Sequence, residues 1–205
     1  MGSVLVAFSG GVDSSFLAAV SNQVLGDKML AVTAASPVYP ESEVRFAQKL
    51  ALERRIPHLL IDTLEMNNPC FVSNPINRCY YCKNELFRDL VKIALERNIR
   101  WVADGSNCDD LTDHRPGRLA AQELGVRSPL IEAGLYKEDI RKLSLEMGLK
   151  TWNKPALACL ASRIPYGTEI TEDLVQKVFK AEELLHQLGF SQVRVRHHGE
   201  IARIE

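Results

Sequence analysis

VLVAFSGGVDSSFLAA, residues 4–19, joins an apolar run to an apolar-faced repeat through a turn of small residues. Val4–Phe8 reads as a buried strand. Ser14–Leu25 carries Phe16, Leu17, Val20 and Val24 at helical spacing. A strand, a glycine turn and a helix N-terminus make an anion site, because first-turn N–H groups lack intrahelical partners and the helix dipole is positive there. Gly10 and Gly11 let the backbone approach a phosphate, and the hydroxyls of Ser9, Ser14 and Ser15 add donors. No Gly-Lys-Ser/Thr follows, so this is not a Walker A loop, and it is not G-x-G-x-x-G. Gly-Gly alone would suit any tight strand–helix turn. The whole string Ser-Gly-Gly-x-Asp-Ser points to a nucleotide, yet it contains no lysine to meet the phosphates.

Outward from this turn, strand and helix alternate. Met29–Ala34 and His58–Ile61 are short apolar runs, and Trp101–Asp104 is a fourth. Between them Glu41–Arg55 and Asn84–Arg97 have helical periodicity. This alternation predicts an α/β fold, a doubly wound parallel sheet covered on both faces, with binding at the carboxyl ends of the strands. A polar, turn-rich stretch, GSNCDDLTDHRPGR, follows Asp104 and is expected to be a functional loop. Lys137–Met147 and Glu172–Leu188 are further helices. SQVRVRHHGEIARIE reads as two strands joined at His198-Gly199, with Val193 and Val195 alternating with Arg194 and Arg196. We expect residues 1–167 to form the nucleotide-binding domain. Residues 168–205 are then a small α+β segment for substrate binding or oligomerisation. The strand pattern runs to Glu205, so this segment is expected to be truncated.

The composition is that of an ordinary globular protein: 205 residues, 46% hydrophobic and 25% charged. Lys plus Arg is 25 and Asp plus Glu 26. That balance gives no overall field for nucleic acid or an anionic membrane. No apolar run approaches the roughly 18 residues of a membrane span, and because the first strand begins at once, no signal peptide is expected. A cytoplasmic location is expected. Five cysteines, an odd number, argue against a disulfide framework in a reducing compartment. They leave metal ligation, nucleophilic catalysis and core filling open.

SGGVDSS resembles the pyrophosphate loop of the PP-loop ATP pyrophosphatase superfamily, which includes NAD and GMP synthetases, asparagine synthetase and tRNA-thiolating enzymes. The resemblance implies that the loop holds the β- and γ-phosphates of ATP while a substrate oxygen attacks the α-phosphate, with Asp13 helping to hold Mg²⁺. Three further strings narrow it: NPINRCYYCKNELF (74–87), DGSNCDDLTDHRPG (104–117) and PALACLASRIPYG (155–167). With RVRHHGEIARIE they resemble the LarE family of ATP-dependent sacrificial sulfur transferases, over nearly the whole chain and in the same order. Against that family, the chain is expected to lack the leading helix and the final segment. The resemblance implies adenylation of a carboxylate of pyridinium-3,5-biscarboxylic acid mononucleotide and its conversion to a thiocarboxylate for the nickel-pincer cofactor. It implies a small-molecule mononucleotide as partner, and a homo-oligomer.

The residues suit that chemistry. Adenylation supplies the leaving group that a carboxylate lacks, and a thiolate can then attack the acyl carbon. Cys159 precedes Arg163 by four residues, and in the family a cysteine at this place gives up its sulfur and becomes dehydroalanine. Without the resemblance, a buried apolar cysteine between Leu157 and Leu160 explains it as well. Cys79 and Cys82 form a C-x-x-C. Some relatives carry such cysteines with one corresponding to Cys159 and assemble a [4Fe–4S] cluster on three thiolates, with one iron open. All three are present here, which favours the cluster over self-sacrifice. Zinc is the other option, but no histidine lies at short spacing. Cys70 and Cys108 are assigned to structure. Catalytic roles are expected for Asp13, Cys159 and Arg163, nucleotide contact for Gly105, and substrate contact for Arg78, Tyr80, Glu182, Arg194 and Arg196. Asp109, Asp110 and Asp113 either support Mg²⁺ or cap turns. Two competing classes stay open: another PP-loop adenylating enzyme, such as a tRNA thiolase or amide-forming ligase, and a non-catalytic nucleotide sensor.

Overall fold

Period-two alternation decides the layers. In β1 (Val4–Ala7), Val4 and Val6 enter one buried cluster while Leu5 enters another on the opposite face. The structure, a computed structural model, describes residues 1–112, 116–156, 158–190 and 192–205. After β1 come α1 (Val12–Leu25), β2 (Met29–Ala35), α2 (Glu41–Glu53) and β3 (His58–Asp62). The short α3 (Pro69–Val72), the long α4 (Arg78–Glu96) and β4 (Trp101–Ala103) follow. The strands form one parallel sheet in the order β3-β2-β1-β4. Then come α5 (Pro116–Glu123), α6 (Pro129–Glu132) and α7 (Lys137–Glu146). α1, α2 and α7 cover one face, and α4 and α5 the other. This is the doubly wound sheet the alternation predicts. Its winding reverses between β1 and β4, which opens a crevice at their carboxyl ends.

Two local departures from the predicted elements matter for the site. α4 begins at Arg78, not at Asn84, so Cys79 and Cys82 sit on its first turns rather than in a loop before it. Tertiary contact holds those turns: Arg78 is buried against Asn74, and Tyr81 and Cys82 pack on a third cluster. The short α3 and α6 have too few residues to show a period. Each opens with proline near its first turn, where a missing N–H costs nothing.

That third cluster joins Val38, Phe71, Leu160, Ile164, Ile170, Val175 and Val178. It is built from both sides of Gly167, and α8 (Glu172–Gln187) supplies its outer wall. β5 (Val195–His198) and β6 (Ile201–Ile204) form an antiparallel hairpin, Val195 opposite Ile204, with Val195 buried and Arg194 exposed.

Asn74 fastens this region to the sheet domain. It is fully buried at φ +53°, a left-handed conformation that asparagine tolerates. Its Nδ2 donates to the carbonyls of Pro165 (2.7 Å) and Thr168 (2.9 Å), and its Oδ1 accepts from Arg78 (3.0 Å). Asn74→Ala strands buried partners on both sides. A loss of about 3 kcal/mol or more is expected, read as a lowered urea midpoint. A variant as stable as the parent would show that the 164–168 segment docks without this side chain.

Candidate active site

The loop between β1 and α1 is tightly folded. Ser9 Oγ and Ser14 Oγ lie 3.1 Å apart, and Ser14 Oγ donates to the carbonyl of Gly11 at 3.4 Å. Gly11 is the N-cap of α1 and gives no side-chain cap, which leaves first-turn N–H groups for a ligand. The two glycines differ in purpose. Gly10 has φ +70°, and a Cβ there would stand 3.1 Å from Ala47 Cβ, so α2 packing demands it. A Cβ on Gly11 would meet only Ser9 Oγ, at 3.5 Å. Gly11 is therefore the glycine that keeps the approach clear. Ser9 is exposed, whereas Ser15 is buried with an unpartnered hydroxyl.

The opposite lip of the crevice is the loop after β4. Gly105 lies against the helix start: a Cβ on it would come within 3.0 Å of Ser14 N. Asn107 Nδ2 donates to Asp13 Oδ1 at 3.2 Å. Asp110 closes a capping box with Asn107, and Asp109 accepts the amide of Lys137 at 2.7 Å. Both aspartates therefore serve the loop's own fold. Asp113 and Leu157 lie outside the described residues.

Two lysines distant in sequence supply the charge the loop lacks. Lys137, at the start of α7, pairs with Asp13. Lys154 donates to the carbonyl of Gly10 at 3.2 Å, pairs with Glu43 at 2.6 Å, and lies 3.7 Å over the Phe46 ring. Arg141, one turn into α7, binds the carbonyls of Trp152 and Lys154 and holds that segment in place. No sequence motif announces either lysine; only the docking of 151–156 on the loop brings Lys154 there.

The same segment continues to Cys159. Leu160 N donates to Val38 O at 2.9 Å, so the residues around Cys159 pair with the loop after β2. Cys159 and Cys82 both pack on the third cluster, and Cys79 acts on Cys159 electrostatically. Cys79 is exposed, and Cys82 and Cys159 are half-buried. Burial pushes the Cys159 thiol up, Cys79 adds to this, and Arg78 and Arg163 pull against it. Burial likewise pushes Cys82 up to about 12. Among the described residues no three His, Cys, Asp or Glu side chains gather closely enough to hold a metal ion. Cys79, Cys82 and Cys159 are thiols of the kind that ligate iron–sulfur clusters, but they are not gathered into such a site here. Of the other cysteines, Cys108 is buried and fills core, while Cys70 is exposed.

Arg78, 5% exposed, stacks 4.6 Å over Tyr166, and its Nε has no partner among the described residues. Tyr80 turns the other way: its hydroxyl donates to Glu123 Oε2 at 2.7 Å and its ring packs on the core shared by α4 and α5. Tyr81 is the tyrosine on the cysteine side.

Glu182 is a structural hub. Its Oε1 accepts from Arg163 Nε (2.8 Å) and Val195 N (2.9 Å), and its Oε2 from Arg163 (3.2 Å). Arg163 also donates to the carbonyl of Ala158 at 3.0 Å and to Ser162 Oγ at 2.9 Å. Both residues are buried. Glu182 is thus spent on this bracing. Arg196 reaches the same turn, donating to Ser162 O at 3.3 Å and to Glu205 at 2.7 Å. Arg194 is left exposed.

The NAD synthase family model matches residues 1–72, which run from β1 through α3. An uncharacterized protein of Synechocystis is 49% identical, the match covering 98% of this chain and 75% of that protein. The pyridinium-3,5-bisthiocarboxylic acid mononucleotide synthase of Lactiplantibacillus plantarum is 40% identical, over 98% of this chain and 74% of that protein. A tRNA-specific 2-thiouridylase of Rickettsia rickettsii is 28% identical, over 74% of this chain and 52% of that enzyme. The PP-loop fold and the extent of likeness to the L. plantarum synthase agree: the chain belongs to the LarE family.

Proposed function

We propose that the protein uses ATP to activate a carboxylate of a pyridinium dicarboxylate mononucleotide and replaces one carboxylate oxygen with sulfur. One observation carries this reading. The segment with Cys159 is tied at one end to the nucleotide loop through Lys154 and at the other to α8 and β5 through Arg163. Lys154, at the nucleotide loop, and Cys159 thereby lie close together along the chain.

The substrate carboxylate oxygen attacks the α-phosphorus of ATP, and pyrophosphate leaves. The β1–α1 loop, with Gly11 and Ser9 open to it, holds the leaving pyrophosphate. Asp13 would help hold Mg²⁺, which would supply charge neutralisation at the phosphates, and Lys137, its partner here, is placed to meet the phosphates as well. A sulfide then attacks the acyl carbon of the adenylate, and AMP departs with one of the former carboxylate oxygens, leaving the thiocarboxylate. Cys79, Cys82 and Cys159 would hold a [4Fe–4S] cluster. Such a cluster would supply an open iron that carries the transferable sulfide. Arg78 and Arg163 offset the negative charge that gathers around Cys159. Arg194 and Arg196 bind the substrate phosphate, and residues 168–205 act as the substrate-binding segment. The exposed apolar Leu188, Phe190, Ile201 and Ile204 support self-association.

Asp13→Asn removes a Mg²⁺ ligand and the partner of Lys137. ATP-dependent pyrophosphate release should fall at least about a hundredfold, the scale of losing one main electrostatic group, with little change in urea midpoint. Undiminished release would take Asp13 out of the reaction.

Arg194→Ala should weaken binding of the mononucleotide at least about tenfold, the worth of a charge-assisted hydrogen bond, and leave ATP affinity alone. Calorimetric titration of both ligands checks this, since equal losses would mean general damage.

The sulfur source is tested by single alanine substitutions at Cys79, Cys82 and Cys159 in anaerobically reconstituted protein. Each should lose iron and turnover together. If Cys159 is itself the donor, Cys79→Ala and Cys82→Ala keep one turnover per chain. Intact-protein mass spectrometry then finds dehydroalanine at position 159.

A further inference from the structure

Two buried arginines at the carboxyl edge are balanced differently. Arg163 meets both carboxylate oxygens of Glu182. Arg78 is nearly as buried, yet among the described residues its side chain has one hydrogen-bond partner, the neutral Oδ1 of Asn74, and no carboxylate pairs with it. Its Nε is sealed from water without a partner. A guanidinium stays charged at any working pH, and a buried charge without a counter-charge is costly. An anion brought from outside the chain removes that cost. Tyr166 shows what such an anion is attached to. Its ring centre lies 4.6 Å from the guanidinium carbon, and the residue is 57% exposed. Asn74 holds both parts in place: besides accepting from Arg78, it donates to the carbonyl of Pro165, and its own carbonyl accepts the N–H of Gly167 at 2.9 Å. The backbone is thus pinned on either side of Tyr166, and cation and ring are set before a ligand arrives.

Resting on the proposed mononucleotide substrate, we propose that Arg78 and Tyr166 form the subsite for its unreacting carboxylate, which pairs with the buried guanidinium while the pyridinium ring stacks on the exposed phenol. A guanidinium fork matches a planar carboxylate, and a tyrosine face attracts a flat cationic ring. A free phosphate would use the arginine and leave the ring idle. The carboxylate held here is the one that is not adenylated. A charge-assisted hydrogen bond ties up the lone pairs that an attack on phosphorus requires. Holding one carboxylate at Arg78 therefore selects the other for activation, and it makes the pair Arg78 and Tyr166 a determinant of specificity for aromatic acids.

Two mononucleotides that differ in one group test this: pyridinium-3-carboxylate mononucleotide and its 3-carboxamide. Calorimetric titration of the full chain without ATP gives the affinity for each. The parent should bind the acid at least about tenfold more tightly, the worth of a charge-assisted hydrogen bond. Arg78→Gln should erase that preference and leave ATP affinity as in the parent. Arg78→Lys, which keeps the buried charge without the fork, should reduce the preference and serves if the glutamine variant does not fold. Tyr166→Leu, at an exposed position, should weaken both mononucleotides alike by about two- to fivefold, the worth of an exposed cation–π contact, and Tyr166→Phe should restore both. A parent that binds neither mononucleotide, or binds acid and amide equally, overturns the proposal. So does a full preference in both Arg78 variants, or an ATP affinity that falls in step with it. If the parent releases no pyrophosphate from ATP with the dicarboxylate mononucleotide, the proposed function fails, while the preference for acid over amide still decides the subsite.

Discussion

The buried pair of Arg163 and Glu182 holds the carboxyl-edge site together. Taking both charges out of water is expensive, and the arrangement survives because neither group is left short of partners. The guanidinium spends its other donors on Ala158 and Ser162, and the carboxylate takes the N–H of Val195. Three elements meet on one ion pair: the turn after Cys159, helix α8, and the hairpin bearing Arg194 and Arg196. Removing either partner would bury an uncompensated charge, typically worth about 3–5 kcal/mol. The thiol loop and the basic hairpin are therefore coupled to each other before any ligand arrives.

A second set of charges organises the nucleotide crevice. A Walker loop carries its lysine in the motif. Here the cations come from α7 and from the segment after it, and each is already engaged, Lys137 with Asp13 and Lys154 with Glu43 and Gly10. Such pairing neutralises each ammonium group beside the loop. It also places a carboxylate and an ammonium side by side where a metal ion and phosphates would separate them.

The cysteines illustrate why chemistry at this edge resists reading from spacing alone. C-x-x-C at 79–82 is a local signal, and its position on the first turns of α4 puts both thiols on one helix face. Cys159 lies far along the chain, in a stretch with no period. It is brought onto the same cluster as Cys82 because Leu160 pairs with Val38 and because that cluster is shared by the loop after β2, α4 and α8. Tyr80 and Tyr81 make the same point. Adjacent in sequence and with rings edge-to-face 5.5 Å apart, they still serve different clusters, Tyr80 reaching Glu123 and Tyr81 packing with Cys82 and Cys159.

Local sequence determined the parallel sheet, its covering helices and the glycine turn at its edge. Apolar period, turn chemistry and helix-start physics act within a few residues of one another, so Val4–Leu25 carries its own instructions. LarE-like strings, read as a set, also indicated the family. Tertiary structure alone decided that α4 starts at Arg78, that Gly10 serves packing while Gly11 faces the crevice, and that Glu182 braces Arg163. It also decided that Lys137 and Lys154 close on the loop and that Tyr166 meets Arg78. Most of those depend on contacts between segments distant in sequence, and such contacts are fixed by how layers pack, which no local pattern records.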